Sequence, residues 1–134
     1  MMSLVPSSLE ELFSFLVGEG FSVCEKRRSE GFGDVVILLQ RGLIDIRFVS
    51  DRGEWSVELS GRGLGGDWFD IDIWEACLDS KRASKEPSSL EQQAAALLAR
   101  LSEISAILAA TDAAAVASAL QSLRAERARA RLGL

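Results

Sequence analysis

The sequence predicts an α+β fold in the order N-terminal helix, four-stranded antiparallel meander sheet, short helix and C-terminal helical hairpin. Apolar residues recur at helical spacing near both ends of the chain, whereas in the middle they alternate with polar residues. The segments between the alternating stretches are too short for the crossover helices of a parallel sheet. We therefore expect an α+β core over residues 1–79, a polar linker over 80–88, and a helical region over 89–134 that packs on the same domain.

The first helix is predicted over residues 8–18. Ser8 can cap it, and Glu11 stands where the second member of a capping box is expected. Gly18 and Gly20 should end the helix, because glycine tolerates the positive φ of a helix C-terminus. The face expected to be buried carries five apolar side chains, at Leu9, Leu12, Phe13, Leu16 and Val17.

Four alternating stretches predict the strands, over residues 21–28, 34–40, 43–49 and 54–59. One face of the last two strands should be buried; it carries Ile44, Ile46, Phe48, Trp55, Val57 and Leu59. The opposite face is also apolar, at Val36, Leu38, Leu43 and Val49. We expect a helix or a second subunit to cover that face, so a homodimer is one expectation. Between the last two strands, Asp51-Arg52-Gly53 suits a type I turn closed by a glycine bulge.

The second half of the chain reads as helical. Asp70 can cap a short helix over residues 71–79, whose buried stripe would be Ile71, Trp74 and Leu78. Ser88 and Glu91 suggest the capping box of a longer helix. Its heptad-like seam contains Leu90, Ala94, Leu97, Leu101, Ile104 and Leu108.

That seam does not continue past the middle of the helical region. A stripe in a different phase follows, at Ala113, Val116, Leu120 and Leu123, and Thr111 can cap a new helix. We therefore predict two helices, over residues 89–109 and 112–130, packed as a hairpin. A single helix of about 40 residues is the alternative.

Composition excludes several classes of function. The net charge is −5, and the arginines that cluster near the C-terminus leave the rest of the chain more acidic still. An acidic body argues against a nucleic-acid partner, which needs Lys and Arg for phosphate contacts, and favours a basic protein partner. The chain has no His, so Ser–His and Cys–His catalysis and imidazole metal ligation are excluded. Neither a basic leader nor a membrane-length apolar run is present, so we expect a cytoplasmic protein with no membrane contact and reduced thiols.

Residues 61–66 match the dinucleotide-binding pattern GxGxxG. The context argues against that function, because the preceding strands form a meander and not a βαβ unit. Asp67 and Asp70 would also repel a phosphate at the start of the following helix. We interpret the glycines as a flexible connection between a strand and a helix, and no cofactor is expected.

The candidate site lies in residues 54–79, which hold all three tryptophans and many acids. Trp55 and Trp74 fit buried stripes. One of the adjacent Trp68 and Phe69 is expected to be exposed among carboxylates, as in many protein-binding hot spots. The predicted partner-binding residues are Asp67, Trp68, Phe69, Asp70, Asp72 and Glu75. A metal site is not expected, because residues two apart on a helix point in different directions. The arginines of residues 124–131 are interpreted as a solvated helix end.

One resemblance is carried by residues 32–78, which contain GDVVILLQRGLIDIRFVSDRGEWSVEL and then DWFDIDIWEACL. With the opening helix, the DRGEW turn and the W-x-D-x-x-x-W helix start, they are similar to small uncharacterised bacterial proteins. Some of those proteins resemble the immunity proteins of toxin systems. The resemblance implies a non-enzymatic protein whose acidic face blocks a basic toxin.

We therefore expect a non-catalytic protein-binding domain that uses an acidic, aromatic surface. Two alternatives stay open at this point. One is a small acidic dimeric chaperone or adaptor that uses the second sheet face or the Ala-rich helices. The other is a nucleotide- or ligand-binding domain that uses the glycine loop of residues 61–66.

Overall fold

The computed structural model describes residues 7–28, 34–61, 63–84, 86, 88–110 and 113–133. The chain forms four helices and five strands within these ranges. They are α1 (Ser7–Gly18), β1 (Ser22–Arg28), β2 (Val35–Arg41), β3 (Ile44–Asp51), β4 (Glu54–Gly61), β5 (Phe69–Asp70), α2 (Ile71–Leu78), α3 (Leu90–Ala109) and α4 (Ala113–Arg131). The α+β class and the order of the helices are as the sequence predicts.

The sheet is an antiparallel meander in the order β1-β2-β3-β4-β5. The four predicted strands are present, and β5 adds a short fifth strand that pairs with β4 through Glu58–Asp70 and Leu59–Phe69. Two residues are too few to show an alternating pattern, which is why the sequence did not reveal β5. At the other edge, the register of β1 shifts between Val23 and Glu25, which marks a β-bulge.

The inner face of the sheet carries the core. Side chains at Ile37, Leu39, Ile46, Phe48, Val57 and Leu59 are buried there, in one cluster with residues of α1, α2 and α3. From α1, Leu9, Leu12 and Leu16 are buried, and the Phe13 ring meets Phe48 edge-on at 4.8 Å between ring centroids. Val17 was also predicted to be buried, and this is wrong, because its side chain is 53% exposed. It lies in the last turn of α1, and Phe21, immediately before β1, is buried instead.

The outer face of the sheet is more open. Val36, Leu38 and Val49 are half-buried and Leu43 is exposed. Arg47 and Glu58 lie on the same face and form an ion pair across β3 and β4, with 2.7 Å between Nε and Oε1. The prediction that a helix or a second subunit covers this face stays a prediction.

Helix α2 lies in the middle of the fold. All eight of its residues are buried or half-buried, with Ile71, Ile73, Trp74 and Ala76 fully buried. The helix contacts β4, β5, α3 and α4. The Trp74 indole Nε1 donates a hydrogen bond to the Leu59 carbonyl at 3.3 Å, which ties α2 to the edge of β4. The prediction that Asp70 caps this helix is confirmed, since its side chain accepts from the Ile73 amide.

The C-terminal region is two helices, as predicted, and not one. Helix α3 ends at Ala109, the extended backbone of the capping residue Ala110 (ψ 158°) turns the chain, and α4 begins at Ala113. Thr111, the predicted cap of α4, lies outside the described residues. The α3 seam is buried at Leu97, Leu101, Ile104 and Leu108. Helix α4 contacts both α2 and α3, so it is not packed against α3 alone as a simple hairpin would be.

Both predicted capping boxes need correction. Helix α1 begins at Ser7, so Ser8 lies inside it and is not its cap. In α3 the box is formed by Ser89 and Gln92, not by Ser88 and Glu91. The reason is that Ser88 has another partner: its backbone amide and its hydroxyl both donate to the Asp72 carboxylate, at 3.3 and 2.9 Å.

The turn between β3 and β4 also differs from the prediction. Arg52 and Gly53 both have positive φ (53° and 83°), as in a two-residue type I′ hairpin, and not a type I turn with a bulge. Asp51 and Glu54 are directly opposite each other as a result.

Gln93 closes the part of the β4 edge that β5 does not reach. Its side chain is buried, accepts from the Val57 amide at 2.8 Å and donates to the Trp55 carbonyl at 3.1 Å. The side-chain amide thus replaces a peptide group of a neighbouring strand. It also donates to the Ser88 carbonyl at 3.0 Å, so α3 and its entry are fixed to β4.

We expect Gln93→Leu to lower the free energy of unfolding by about 2–3 kcal/mol, because it leaves buried backbone groups of β4 without a partner. The control is Gln92→Leu, an exposed position that loses only its capping-box contact and should cost less than about 1 kcal/mol. Urea unfolding of both variants measures the difference. Equal costs would show that the Gln93 bridge contributes nothing specific.

Candidate functional site

The glycines of residues 61–66 have a structural explanation. A Cβ on Gly61 would lie 2.6 Å from the Leu43 carbonyl oxygen and 2.8 Å from the Leu108 side chain. Gly63, Gly65 and Gly66 have positive φ, and the loop between them folds inward so that Leu64 is buried in the core. The loop therefore needs glycine for close packing and for its turns, and a phosphate ligand is not required to explain it.

After this loop, residues 67–70 run alongside α4. The Gln121 side chain donates to the Asp67 carboxylate at 3.1 Å. Arg124 donates to the Trp68 carbonyl at 3.2 Å and lies over the Phe69 ring, with 4.5 Å from its guanidinium carbon to the centroid.

The last contact of this series is the ion pair of Arg127 with Asp70. Two hydrogen bonds join the guanidinium to the two carboxylate oxygens, one of them 3.0 Å long. The Asp70 carboxylate also caps α2, at 3.1 Å from the Ile73 amide. The Arg127 side chain is only 10% exposed. The interpretation of residues 124–131 as a solvated helix end is therefore wrong for Arg124 and Arg127, although Arg129 is exposed.

The two adjacent aromatic residues point to opposite sides of the sheet. Phe69 faces the core and is 1% exposed, whereas Trp68 is half-buried. The Arg47 guanidinium lies over the Trp68 ring at 4.4 Å from its centroid. Each ring thus has an arginine stacked on it from within the chain, a favourable cation–π arrangement.

The other two predicted site residues also have partners within the chain. Asp72 accepts the two hydrogen bonds from Ser88. Glu75 accepts from Arg100 at 3.3 Å. Arg100 also forms two hydrogen bonds with Asp79, at 2.7 and 2.9 Å. The hydrogen bonds with Asp79, Glu103 and Glu75, in that order of importance, raise the pKa of its guanidinium. This cluster joins the end of α2 to α3.

The structure brings together only part of the predicted set. Asp70 and Asp72 line one cleft, whereas Trp68 lines a separate shallow hollow with Gln40 and Asp45 on the outer face of the sheet. We call the first of these the acidic cleft. It has a volume of about 320 Å³ and lies between the end of the β3–β4 hairpin, the start of α2 and the end of α4. Its carboxylates are Asp51, Glu54, Glu58, Asp70 and Asp72, and its other main lining residues are Val49, Trp55, Gln93, Arg127 and Arg131.

Two of these carboxylates make neither an ion pair nor a side-chain hydrogen bond in the described residues, whereas Asp72 accepts two hydrogen bonds from Ser88. Within the described part of the chain, Glu58 pairs with Arg47 and Asp70 with Arg127, but Asp51 and Glu54 make no ion pair. They also stand directly opposite each other in the β3–β4 pairing. Like charges in that position destabilise a sheet, so their presence at the mouth of the cleft is not explained by the stability of the hairpin.

The sequence placed Glu54 and Glu58 in the last predicted strand, on the face opposite Trp55, Val57 and Leu59, but did not connect them with Asp70 and Asp72. Asp51 was interpreted only as a turn residue. A usable signal was present: acids on both sides of Arg52-Gly53 are brought opposite each other by a two-residue turn. A second signal was the spacing of Gln121, Arg124 and Arg127, which places polar side chains on neighbouring turns of one helix.

The acidic cleft offers five carboxylates and the Trp55 ring beside Gln93 and two arginines. No group of three Cys, Asp or Glu side chains in those residues could hold a metal ion. Burial raises the pKa of the Cys77 thiol, so it stays protonated at neutral pH and is a weak nucleophile. The arrangement is suited to holding a cationic group.

No helix in the described part of the chain is long and apolar enough to cross a membrane. Comparison with protein-family models, with curated proteins and with solved structures gives no match.

We expect Gly61→Ala to destabilise the fold by about 1–3 kcal/mol, because the added methyl group meets a carbonyl oxygen that cannot move without shifting the β2–β3 turn. Gly18→Ala is the control, since its Cβ would meet nothing within 4 Å and its φ is not positive. Thermal unfolding compares the two. A Gly61→Ala variant as stable as Gly18→Ala would contradict the close packing at this position.

Asp70 has two separable roles, and a pair of substitutions distinguishes them. Asp70→Asn keeps a good helix cap but removes the charge that Arg127 faces, whereas Asp70→Ala removes both. We expect Asp70→Ala to be less stable than Asp70→Asn by about 1 kcal/mol in urea unfolding. Equal stabilities would mean that the cap contributes nothing measurable.

Proposed function

We propose that this chain is a non-catalytic protein-binding domain that receives a basic segment of its partner in the acidic cleft. The observation that carries the proposal is the opposed pair Asp51 and Glu54 at the mouth of the cleft. This pair costs stability and makes no ion pair in the described part of the chain. A partner that brings Arg or Lys to this position would relieve the repulsion on binding.

The lining of the cleft supports an arginine or lysine side chain as the group that enters. Glu58, Asp70 and Asp72 line the same cleft and are half-buried, whereas Asp51 and Glu54 are exposed. Glu58 and Asp70 already have arginine partners within the chain. Trp55 is half-buried and packs against the core, so it presents a fixed aromatic wall. A guanidinium between carboxylates and an aromatic face combines ion pairing with a cation–π contact.

The charge distribution favours association with basic proteins over other partners. The net charge of the chain is −5, and four of its arginines lie in the C-terminal half of α4, so the rest of the chain is more acidic still. Complementary charge raises association rates and suppresses wrong partners. A basic toxin neutralised by an immunity-like protein is a partner of this kind, in line with the resemblance noted in the sequence.

The test measures the affinity of the full chain for an octa-arginine peptide by calorimetry. We expect Asp51→Asn/Glu54→Gln to weaken binding about tenfold, because it removes both charges at the mouth. The control is Glu11→Gln/Glu19→Gln, which changes net charge equally on exposed positions of α1 and of the turn that follows it, outside the cleft. It should weaken binding less than about twofold, by long-range electrostatics alone.

Raising the salt concentration should weaken the binding of wild type more than that of the cleft variant. Equal losses for the cleft variant and the control would show that net charge, and not the cleft, attracts the peptide. A native partner, once isolated, can be measured with the same three proteins.

A further inference from the structure

Helix α4 is held to the rest of the fold by a narrow contact. Of its described side chains, Leu120 alone is fully buried, and the half-buried ones are Val116, Ala117, Leu123, Arg124 and Arg127. The remaining described side chains of this 19-residue helix are exposed. A short apolar stripe and a row of polar contacts therefore hold the helix in place.

The polar contacts of α4 are made in order along residues 67–70. Gln121 contacts Asp67, Arg124 contacts Trp68 and Phe69, and Arg127 contacts Asp70. These three α4 residues are three positions apart, so they lie on successive turns of one face of the helix. That face lies beside the extended segment 67–70. Three residues of the basic helix α4 thus contact the acidic and aromatic residues 67–70.

The same contacts reach the acidic cleft. Arg127 lines the cleft and neutralises Asp70, which would otherwise be available to an incoming cation. A guanidinium on a carboxylate and a guanidinium on an aromatic ring are the contacts expected of a basic partner. Here the chain supplies both from its own α4.

We propose that α4 is a built-in competitor for the acidic cleft, released when a basic amphipathic helix of the partner takes its place. The part of this inference that concerns the partner rests on the proposed function. The partner helix would carry an apolar side chain at the place of Leu120 and arginines at the places of Arg124 and Arg127. Release of α4 frees Asp70 for the partner and uncovers Phe69 and one side of α2.

The rest of the core allows such a release. Leu97, Leu101, Ile104 and Leu108 of α3 pack in one cluster with the inner face of the sheet and with α1. Gln93 fixes α3 to β4 independently of α4. Local opening of a peripheral helix with few buried side chains is therefore expected before the sheet opens.

Hydrogen exchange of the full chain tests the release without any partner. Arg127→Gln removes the ion pair with Asp70, and the control Arg129→Gln makes the same charge change at an exposed position of the same helix. We expect Arg127→Gln to speed exchange about tenfold over residues 113–131 and to leave β2, β3 and β4 at the wild-type rate. Arg129→Gln should exchange like wild type. The inference is overturned if Arg127→Gln changes nothing in α4, or if it speeds the strands equally.

A labelled peptide of residues 113–131 then tests whether the uncovered groove accepts a basic helix. It should bind the Arg127→Gln chain at least about fivefold more tightly than the Arg129→Gln chain, because only the first has a loosened α4. A peptide carrying Arg127→Gln should bind both chains equally and weakly. Equal binding of the unmodified peptide to the two chains would overturn the competition.

Different measurements would overturn the two proposals. Loss of the cleft effect with octa-arginine removes the proposed function, whereas the exchange experiment contains no ligand and reports on α4 alone. The link between them is the octa-arginine affinity of Arg127→Gln, which should exceed that of Arg129→Gln about threefold. If the two affinities are the same, α4 does not compete for the cleft.

Discussion

The burial of helix α2 is the constraint on which the other elements depend. An eight-residue helix is too short to be stable alone, so its contacts with the strands and with α3 and α4 must hold it. Trp74 contributes the largest of its buried side chains and also donates to the β4 edge. Because the helix begins immediately after β5, the position of Asp70 fixes three things together: the end of the sheet, the cap of α2 and the anchor for Arg127.

The early end of β5 creates both the need for Gln93 and the space of the acidic cleft. Two residues of β5 cover only the last part of β4, so the backbone groups of Trp55 and Val57 would be left without partners. The Gln93 amide satisfies them from α3 and leaves the outer side of the edge open. Buried backbone groups must be paired, so a shortened strand needs a side chain that imitates a peptide. The cleft lies where a longer strand would otherwise have continued.

Opposite charges within one chain explain why the acidic segment is less exposed than its composition suggests. Residues 67–75 face Gln121, Arg124 and Arg127 of α4 and Arg100 of α3. Partly buried carboxylates are costly unless they are paired, and arginine satisfies a carboxylate with two parallel hydrogen bonds. Asp51 and Glu54 differ because, within the described part of the chain, no Arg or Lys side chain forms an ion pair with either of them. The distribution of paired and unpaired acids, and not their number, thus distinguishes a structural surface from a candidate binding surface.

The sequence by itself determined the class of the fold, the meander, the two C-terminal helices and the cap at Asp70. Each of these follows from local periodicity or from a single side chain that satisfies nearby backbone groups. The corrections concern the choice between competing partners, as when Ser88 bonds to Asp72 and leaves the cap of α3 to Ser89. The candidate site could be located only to the stretch of residues 54–79. Which of its acids meet in one cleft, and which are neutralised by α4, depended on contacts such as Arg127–Asp70 between residues 57 positions apart. Local patterns contain no information about such pairs, because the tertiary packing of α4 on α2 alone brings them within hydrogen-bond distance.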